Sequence, residues 1–322
     1  MSNTTLRSIH VVAGVIQDAR GRILLTRRTE TRDMPGLWEF PGGKREPGES
    51  SEAALVRELH EELGIDASVG DWLMEVPQRY PDKRLRLEVR HVASWKGQPR
   101  GREGQALTWV PPDRLSRYSM PPADVPVVGV LRQPDRYLVT PEPGPDEALW
   151  LEQLGAALDA GVRRVHLRAR QCEPLRWRAL VAEVASRFAR RDVQWLLNRD
   201  ITLAASLGLG VHLGSEQLAT SSQRPAAPSL PLAASCHTPE DLRHAQRLGC
   251  DFAVLGPVLP TATHPGAASL GWAGFEQLRE AVSLPLYAIG GLAPEDIAQA
   301  RRHGAQGVAA IRALWPSAVA VG

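Results

Sequence analysis

Apolar residues recur along the chain with two different rhythms, and the change falls near residue 133. In the first part, residues 9–16 are a strand-length apolar run containing Gly14. Asp18-Ala19-Arg20-Gly21 has the composition of a hairpin turn, and residues 23–25 read as the returning strand. Residues 85–95 alternate, with Leu85, Leu87, Val89 and Trp95 on one side and Arg86, Glu88 and Arg90 on the other. That pattern predicts a half-exposed strand after the turn Tyr80-Pro81-Asp82-Lys83. Residues 106–110 are one more strand. Between these runs, Ala53, Ala54, Leu55, Val56, Leu59 and Leu63 make the apolar face of a helix. Ser50 and Ser51 are N-cap candidates, Glu52 suits the first turn, and Gly64 stands where a left-handed residue would stop the helix.

The second part repeats a shorter unit. Apolar runs at 137–140, 162–167, 194–198, 211–213, 232–236, 252–256, 286–289 and 307–311 are separated by segments of helical periodicity. Two of these, 147–160 and 239–248, end at Gly161 and Gly249. Eight strands alternating with helices predict a (β/α)8 TIM barrel. About 185 residues is short for a fold that usually takes about 250, so a doubly wound open sheet is the alternative. The stretch 131–136, polar around Pro134, is the expected linker region. The predicted domains are 1–132 and 137–322, joined by 133–136.

Composition narrows the function classes. A length of 322 residues suits two domains. A net charge of +2 offers no general polyanion surface, so direct DNA binding is not expected. No apolar run reaches 18 residues and the first residues lack a hydrophobic signal core, which points to a cytoplasmic protein and away from a membrane. Cys172, Cys236 and Cys250 are scattered without a C-x-x-C pair, which argues against a disulfide framework or a zinc site.

The predicted helix carries the chemistry. Glu58, Glu61 and Glu62 stand at i, i+3 and i+4 and share one face. They crowd one another near a helix C-terminus, where the macrodipole disfavours each anion by about 0.3–1 kcal/mol. Folding alone would not choose this arrangement, although a solvated acidic face is the ordinary alternative. A bound hard cation such as Mg²⁺ would explain it. Spacing decides between the two. Residues 43–65 read GKREPGESSEAALVRELHEELGI and match the Nudix signature G-x5-E-x7-R-E-U-x-E-E-x-G-U, where U is a bulky aliphatic residue. The fixed positions fall on Gly43, Glu49, Arg57, Glu58, Leu59, Glu61, Glu62, Gly64 and Ile65.

The first half therefore resembles Nudix hydrolases, and its flanking motifs resemble the MutT type. The resemblance implies an α/β/α sandwich with a mixed sheet and a pyrophosphohydrolase that needs Mg²⁺, with Mn²⁺ as the other candidate ion. It puts metal ligands at Glu58, Glu61, Glu62, Glu103 of the loop Arg102-Glu103-Gly104-Gln105, and the Gly42 carbonyl. Glu58 becomes the candidate base and Arg57 its support. Arg28 becomes a phosphate contact, and Glu39, Phe40, Pro41 and Gly42 of the W-E-F-P-G-G run line the substrate site. Two positions depart from the bacterial pattern. Asp33 stands where a substrate-side His is usual. Asp124, in Met120-Pro121-Pro122-Ala123-Asp124-Val125-Pro126, stands where an Asn reads the guanine edge. An ionised Asp only accepts hydrogen bonds, so donation to guanine O6 requires Asp124 to be protonated, which a buried pocket can bring about. The implied substrate is 8-oxo-dGTP, cleaved to the monophosphate and pyrophosphate, a role in nucleotide-pool sanitation.

The second half resembles thiamine phosphate synthase and TenI-type proteins in Tyr137-Leu138-Val139-Thr140, Gly210-Val211-His212-Leu213-Gly214, Ser235-Cys236-His237, Gly256 to Thr263 and Ile289-Gly290-Gly291. The resemblance implies a phosphate grip at Arg168, Thr261, Thr263, Gly290 and Gly291, and a phosphorylated thiamine-related ligand. The departures fall on the metal site. Q-L-R-x-K becomes His166-Leu167-Arg168-Ala169-Arg170. The N-D pair whose Asp holds Mg²⁺ becomes Asn198-Arg199, with Asp200 one place later. The second metal-binding Asp is replaced by Gln217, and a phosphate-site serine by Arg312. A guanidinium repels Mg²⁺, so a barrel without synthase activity is expected. The alternatives are a working bifunctional enzyme and a non-catalytic module that binds a phosphorylated metabolite.

Overall fold

The computed structural model describes residues 6–261 and 268–316. The chain divides into two compact units, with the change between Gln133 and Pro134.

In the first unit, β1 (Arg7–Val15) is followed by β2 (Ile23–Arg27), β3 (Trp38–Glu39), β4 (Gly42–Lys44), α1 (Ser51–Leu63), β5 (Asp66–Arg79), β6 (Lys83–Lys96), β7 (Leu107–Val110) and α2 (Val125–Arg132). One sheet has the order β4-β1-β6-β5 and a second the order β3-β2-β7. The first is mixed, because β1 runs parallel to β6 while β4 and β5 pair antiparallel. Strand β1 feeds two cores. Val12 packs with Leu55, Leu59 and Leu63 of α1, and Ala13 and Val15 pack with Leu87, Val89 and Val127 on the other side. Helix α1 begins as its sequence requires: Ser50 is the N-cap, its Oγ accepting from Ala53 N at 3.1 Å. Gly64 closes it at φ 69°, its N–H reaching His60 O at 3.0 Å. Ser51 lies inside the helix and is buried, so of the two serines only Ser50 caps.

One sequence expectation is corrected here, and one strand was not foreseen. Trp95 does not share a core with Leu85, Leu87 and Val89; it packs with Val92 against the α1 side. The β5–β6 register slips between Ser68 and Val69, where two residues of β6 pass one of β5, and that bulge reverses the facing of the strand beyond it. Strand β5 itself was illegible because Gly70 and Pro77 and three irregularities break its alternation.

The second unit is a closed barrel of eight parallel strands in sequence order. They are β8 (Arg136–Val139), β9 (Arg164–Leu167), β10 (Gln194–Asn198), β11 (Gly210–Leu213), β12 (Leu232–Cys236), β13 (Phe252–Leu255), β14 (Leu286–Ile289) and β15 (Gly307–Ala310). Strand β8 starts at Arg136, the last residue of the expected 133–136 linker. The barrel closes in fewer residues than usual because its elements are short; after α3 (Glu147–Asp159) and α4 (Pro174–Arg187), the helices α5 (Ile201–Leu207) and α6 (Ser215–Thr220), which follow β10 and β11, have seven and six residues. Its interior is filled by Tyr137, Leu196, Phe252, Val254 and Tyr287. Arg164 is also buried there, its guanidinium 4.1 Å from the Phe252 ring centre and hydrogen bonded to Tyr287 Oη at 2.6 Å and Gln194 Oε1 at 2.9 Å. An arginine fits inside a barrel only with such acceptors and an aromatic face. Among the described residues no helix is long and apolar enough to cross a membrane.

Candidate active site

In the first unit the site is assembled by two arginines. Arg57, in the middle of α1, forks onto Glu49 through Nε (3.1 Å) and Nη2 (3.0 Å). The same group donates from Nη1 to Glu58 at 2.9 Å and stands 3.5 Å from Glu61. It also donates to the Lys44 carbonyl at 3.1 Å, tying helix to turn. Arg32 makes a second hub: its Nη2 donates to Glu62 at 2.5 Å and to Glu103 at 2.6 Å, and its Nη1 is 3.8 Å from Glu39. The loop bearing Glu103 is held to the helix end by Gln105, which donates to Glu62 O at 3.1 Å and accepts from Glu103 N at 2.8 Å. The expected acidic cluster therefore exists, as two groups that each share a guanidinium.

The glycines before α1 are there for space. A Cβ on Gly43 would lie 2.1 Å from the Glu58 carboxylate, and one on Gly42 would lie 2.1 Å from Val12 O, at φ 151°. Only the bare backbone lets Glu58 sit over this turn.

The carboxylates are under strain as charges. Glu62 is 3 % exposed, and burial, opposed by Arg32 and aided by Glu39 and Glu103, pushes its pKa up to about 7. Burial also raises Glu58, offset by Arg57, and Glu39, offset by Arg28. Glu61 is the open member, its side chain 56 % exposed. Among the described residues no three carboxylate, histidine or cysteine groups already converge on one point. The donor set still fits a hard divalent ion: every candidate ligand is an oxygen, the anions crowd each other, and the guanidiniums of Arg32 and Arg57 bridge them.

Beside this cluster lies a cleft of about 160 Å³. Arg28, Asp33, Glu39, Phe40, Gly42 and Asp124 all line it, so the structure brings the expected substrate residues together. Arg28 bonds the Glu39 carboxylate and the Asp33 carbonyl. Asp33 is exposed and paired with Lys83 at 2.5 Å. Pro41 sits behind the cleft, its carbonyl accepting from Gly14 N at 2.9 Å. Asp124 is buried at the start of α2, caps nothing, and accepts from Phe40 N through Oδ1 at 3.2 Å. Burial, then the negative Glu39, raise its pKa to about 8, against the opposing pull of Phe40 N–H and Arg28. With Oδ1 accepting from the backbone, Oδ2 is the oxygen on which burial favours a proton. The sequence reading missed Arg32, Lys83 and Tyr80, which also line the cleft. Arg32 lies in a loop without periodicity, where no pattern separates a site arginine from a solvated one.

In the barrel, two adjoining cavities of about 630 and 470 Å³ open at the C-terminal ends of the strands. Of the residues named for a phosphate grip, Arg168, Thr261, Gly290 and Gly291 line the larger; Thr263 lies outside the described residues. Gly290 (φ 104°) and Gly291 (φ 67°) turn the loop after β14. At the floor, His166 and His212 stack with ring centres 3.9 Å apart. His212 bonds Tyr137 Oη and Ser235 Oγ, each at 2.9 Å, and His166 bonds Asn198 at 3.2 Å. Burial, with the Arg168 charge, lowers His212 to about 3, and burial with its neighbours holds His166 well below the usual range, so both rings are neutral.

A divalent metal does not fit here. Arg199, at φ 63°, lays its guanidinium against Gly214, and Gln217 donates to Arg199 O at 2.9 Å. Asp200 does not substitute, because its carboxylate caps α5 by accepting from Leu203 N at 2.9 Å.

Residues 12–129 match the NUDIX domain family, and residues 136–314 match the family described as thiamine monophosphate synthase. The chain is 42 % identical over 123 residues to a CTP pyrophosphohydrolase of Escherichia coli, covering 38 % of this chain and 90 % of that protein. It is 35 % identical over 128 residues to an E. coli 8-oxo-dGTP diphosphatase, covering 40 % and 99 %. Its second half is 35 % identical over 183 residues to a thiamine-phosphate synthase of Thermus thermophilus, covering 55 % and 86 %. The Gly43-to-Ile65 stretch, with its arginine-paired glutamates, and an arginine-rimmed eight-stranded barrel thus occur in one chain, a MutT-like Nudix hydrolase at its N-terminus that belongs through its C-terminal half to the thiamine monophosphate synthase family.

Proposed function

We propose that the N-terminal domain is a Mg²⁺-dependent nucleoside triphosphate pyrophosphohydrolase whose main substrate is 8-oxo-dGTP. The observation that carries the base preference is Asp124, a carboxylic acid at the floor of a cleft that opens toward the carboxylate cluster. Held neutral, it offers a donor and an acceptor side by side, the pair that guanine O6 and N1–H require. Glu58, Glu61, Glu62, Glu103 and the Gly42 carbonyl would hold the ion. A divalent cation there supplies Lewis-acid polarisation of phosphoryl oxygens and lowers the pKa of bound water. Glu58 accepts the proton of the attacking water, and Arg57 keeps its carboxylate aimed over Gly43. Arg28 leaves Glu39 to donate to the phosphates, where charge grows in the transition state. Attack at phosphorus releases the nucleoside monophosphate and pyrophosphate.

A second reading has one supporting observation. A neutral carboxyl can also pair with cytosine, accepting from N4–H and donating to N3, and the relative named CTP pyrophosphohydrolase is 42 % identical. A product screen decides between them: 8-oxo-dGTP, dGTP, CTP, dCTP, ADP-ribose and thiamine pyrophosphate, each with Mg²⁺ or Mn²⁺. The proposal expects kcat/KM for 8-oxo-dGTP to exceed that for dGTP and CTP by tenfold or more. A preference for CTP would establish the second reading, and turnover of ADP-ribose alone would remove both.

A further inference from the structure

The barrel mouth has the electrostatics of an anion site built without a metal. Arg168, Arg170 and Arg312 line the larger cavity, Arg199 joins Arg168 and Arg170 in the smaller one, and no acidic residue lines the larger among the described residues. None of Arg168, Arg170 and Arg312 lies within ion-pair distance of a carboxylate among the described residues, and Arg199 has only the exposed Glu216, at 3.5 Å. The next carboxylate, Glu142, spends its oxygens on the backbone N–H groups of Arg170 and Gln171. Crowded cations of this kind oppose one another. Arg168 is half-buried, and desolvation, then Arg170 and Arg199, lower its pKa against the opposing pull of Glu142. Among the described residues Glu142 and Glu216 relieve that crowding only in part, and a bound anion would relieve it further.

We propose that this barrel binds a phosphorylated small molecule without a divalent cation, Arg168, Arg170, Arg199 and Arg312 supplying the positive charge directly and the Gly290–Gly291 turn supplying backbone room for the phosphate. Guanidiniums match phosphate oxygens in planar pairs, so charge and orientation come from the same groups. The glycines are required on steric grounds: a Cβ on Gly290 would lie 2.7 Å from Pro257 Cβ, and one on Gly291 2.7 Å from Pro260 O. The organic part of the ligand has an apolar wall in Val139, Val254, Ile289 and Ala309. Its polar edge meets Ser235, whose hydroxyl is held by His212, itself fixed by Tyr137. Because both histidines are neutral, this floor orients a ligand by hydrogen bonds and adds no charge.

Titration calorimetry on the intact protein with phenyl phosphate and with inorganic pyrophosphate tests the inference. Binding is expected in EDTA, and millimolar Mg²⁺ should change the phenyl phosphate affinity by less than about threefold. Arg168→Ala and Arg312→Ala should each weaken it roughly tenfold to hundredfold, the loss expected for a hydrogen bond to a charged group. Arg28→Ala reports any binding in the first unit and should leave this heat in place. Arg199→Asp, which suits the left-handed backbone there, should weaken EDTA binding and make what remains respond to Mg²⁺. Thermal unfolding of each variant checks that the fold is kept. The inference is overturned by binding that needs Mg²⁺ in the unmodified protein. It is overturned equally by heat lost in Arg28→Ala but kept in Arg168→Ala, or by no heat with either probe up to millimolar concentration.

Discussion

Replacing Asp124 by Asn tests the reading of the nucleotide cleft most directly, because it separates charge from hydrogen-bonding capacity. The side chain is 7 % exposed, faces Glu39, Arg28 and Tyr80, and has its pKa raised from 3.8 to about 8. The folded protein therefore holds a proton that the unfolded chain releases from about pH 4 upward. Stability must fall as pH rises through the window between the two values, and the full penalty is present above about pH 8. At about 1.4 kcal/mol per tenfold, the span from 3.8 to pH 7 amounts to a cost on the order of 4 kcal/mol. Asparagine is isosteric, keeps an oxygen for Phe40 N–H, and carries no such penalty. No helix cap is lost, since Asp124 makes no side-chain capping bond. Urea unfolding across this pH range should show Asp124→Asn more stable than the parent by a few kcal/mol near neutrality, with the gain vanishing toward about pH 4. In turnover, the parent should lose kcat/KM for 8-oxo-dGTP above about pH 8 as the donor disappears, while the Asn variant should not. Equal stability differences at about pH 5 and pH 8, or parallel pH–rate profiles, would refute a protonated Asp124.

Four further outcomes follow from the carboxylate cluster. Gly43→Ala should lower kcat severely while shifting stability by about 1 kcal/mol or less, because the new Cβ displaces only the flexible end of Glu58; thermal unfolding alongside kinetics reads both. Glu58→Gln should cost about 10²–10⁴-fold in kcat, and Glu62→Gln should lose most Mg²⁺-dependent pyrophosphate release; near-parental rates in either would remove that residue from the site. Arg32→Ala should tighten Mn²⁺ binding about two- to fivefold, measured by electron paramagnetic resonance without substrate, since a partly exposed guanidinium competes with the ion for Glu62 and Glu103. Weaker Mn²⁺ binding would mean that Arg32 holds these ligands in place for the ion.

What was legible in the sequence was whatever one local rule could specify. Ser50 and Gly64 bound α1 because capping needs only a few neighbouring residues, and the barrel strands showed because each is a short apolar run buried on both faces. Strand β5 was not, since a Gly, a Pro and repeated bulges erase a period-two signal that depends on regular register. Arg164 broke an apolar run for a reason visible only in three dimensions: its acceptors, Gln194 and Tyr287, lie on other strands. Spacing along α1 marked Glu58, Glu61 and Glu62, yet it could not show that Arg32, 30 residues before Glu62, stands between Glu62 and Glu103. The protonation of Asp124 was framed by chemistry as a condition, and the two features that raise its pKa, burial and the proximity of Glu39, are visible only in the fold.

In the roles proposed for them, the two sites handle phosphate by opposite means, and each is consistent within itself. In the Nudix cleft the protein gathers carboxylates, which repel both each other and a triphosphate. Such a site works only with added positive charge, and Arg32 and Arg57 supply a provisional share of it. The proposed activity is therefore expected to depend on a divalent ion. At the barrel mouth the arginines supply charge of their own, and the positions suited to metal-binding carboxylates hold Arg199 and Gln217. An ion there would meet repulsion where a phosphate meets attraction. The same chelator should therefore silence one half of the molecule and leave ligand binding by the other intact, a contrast that a single preparation of the whole chain can display.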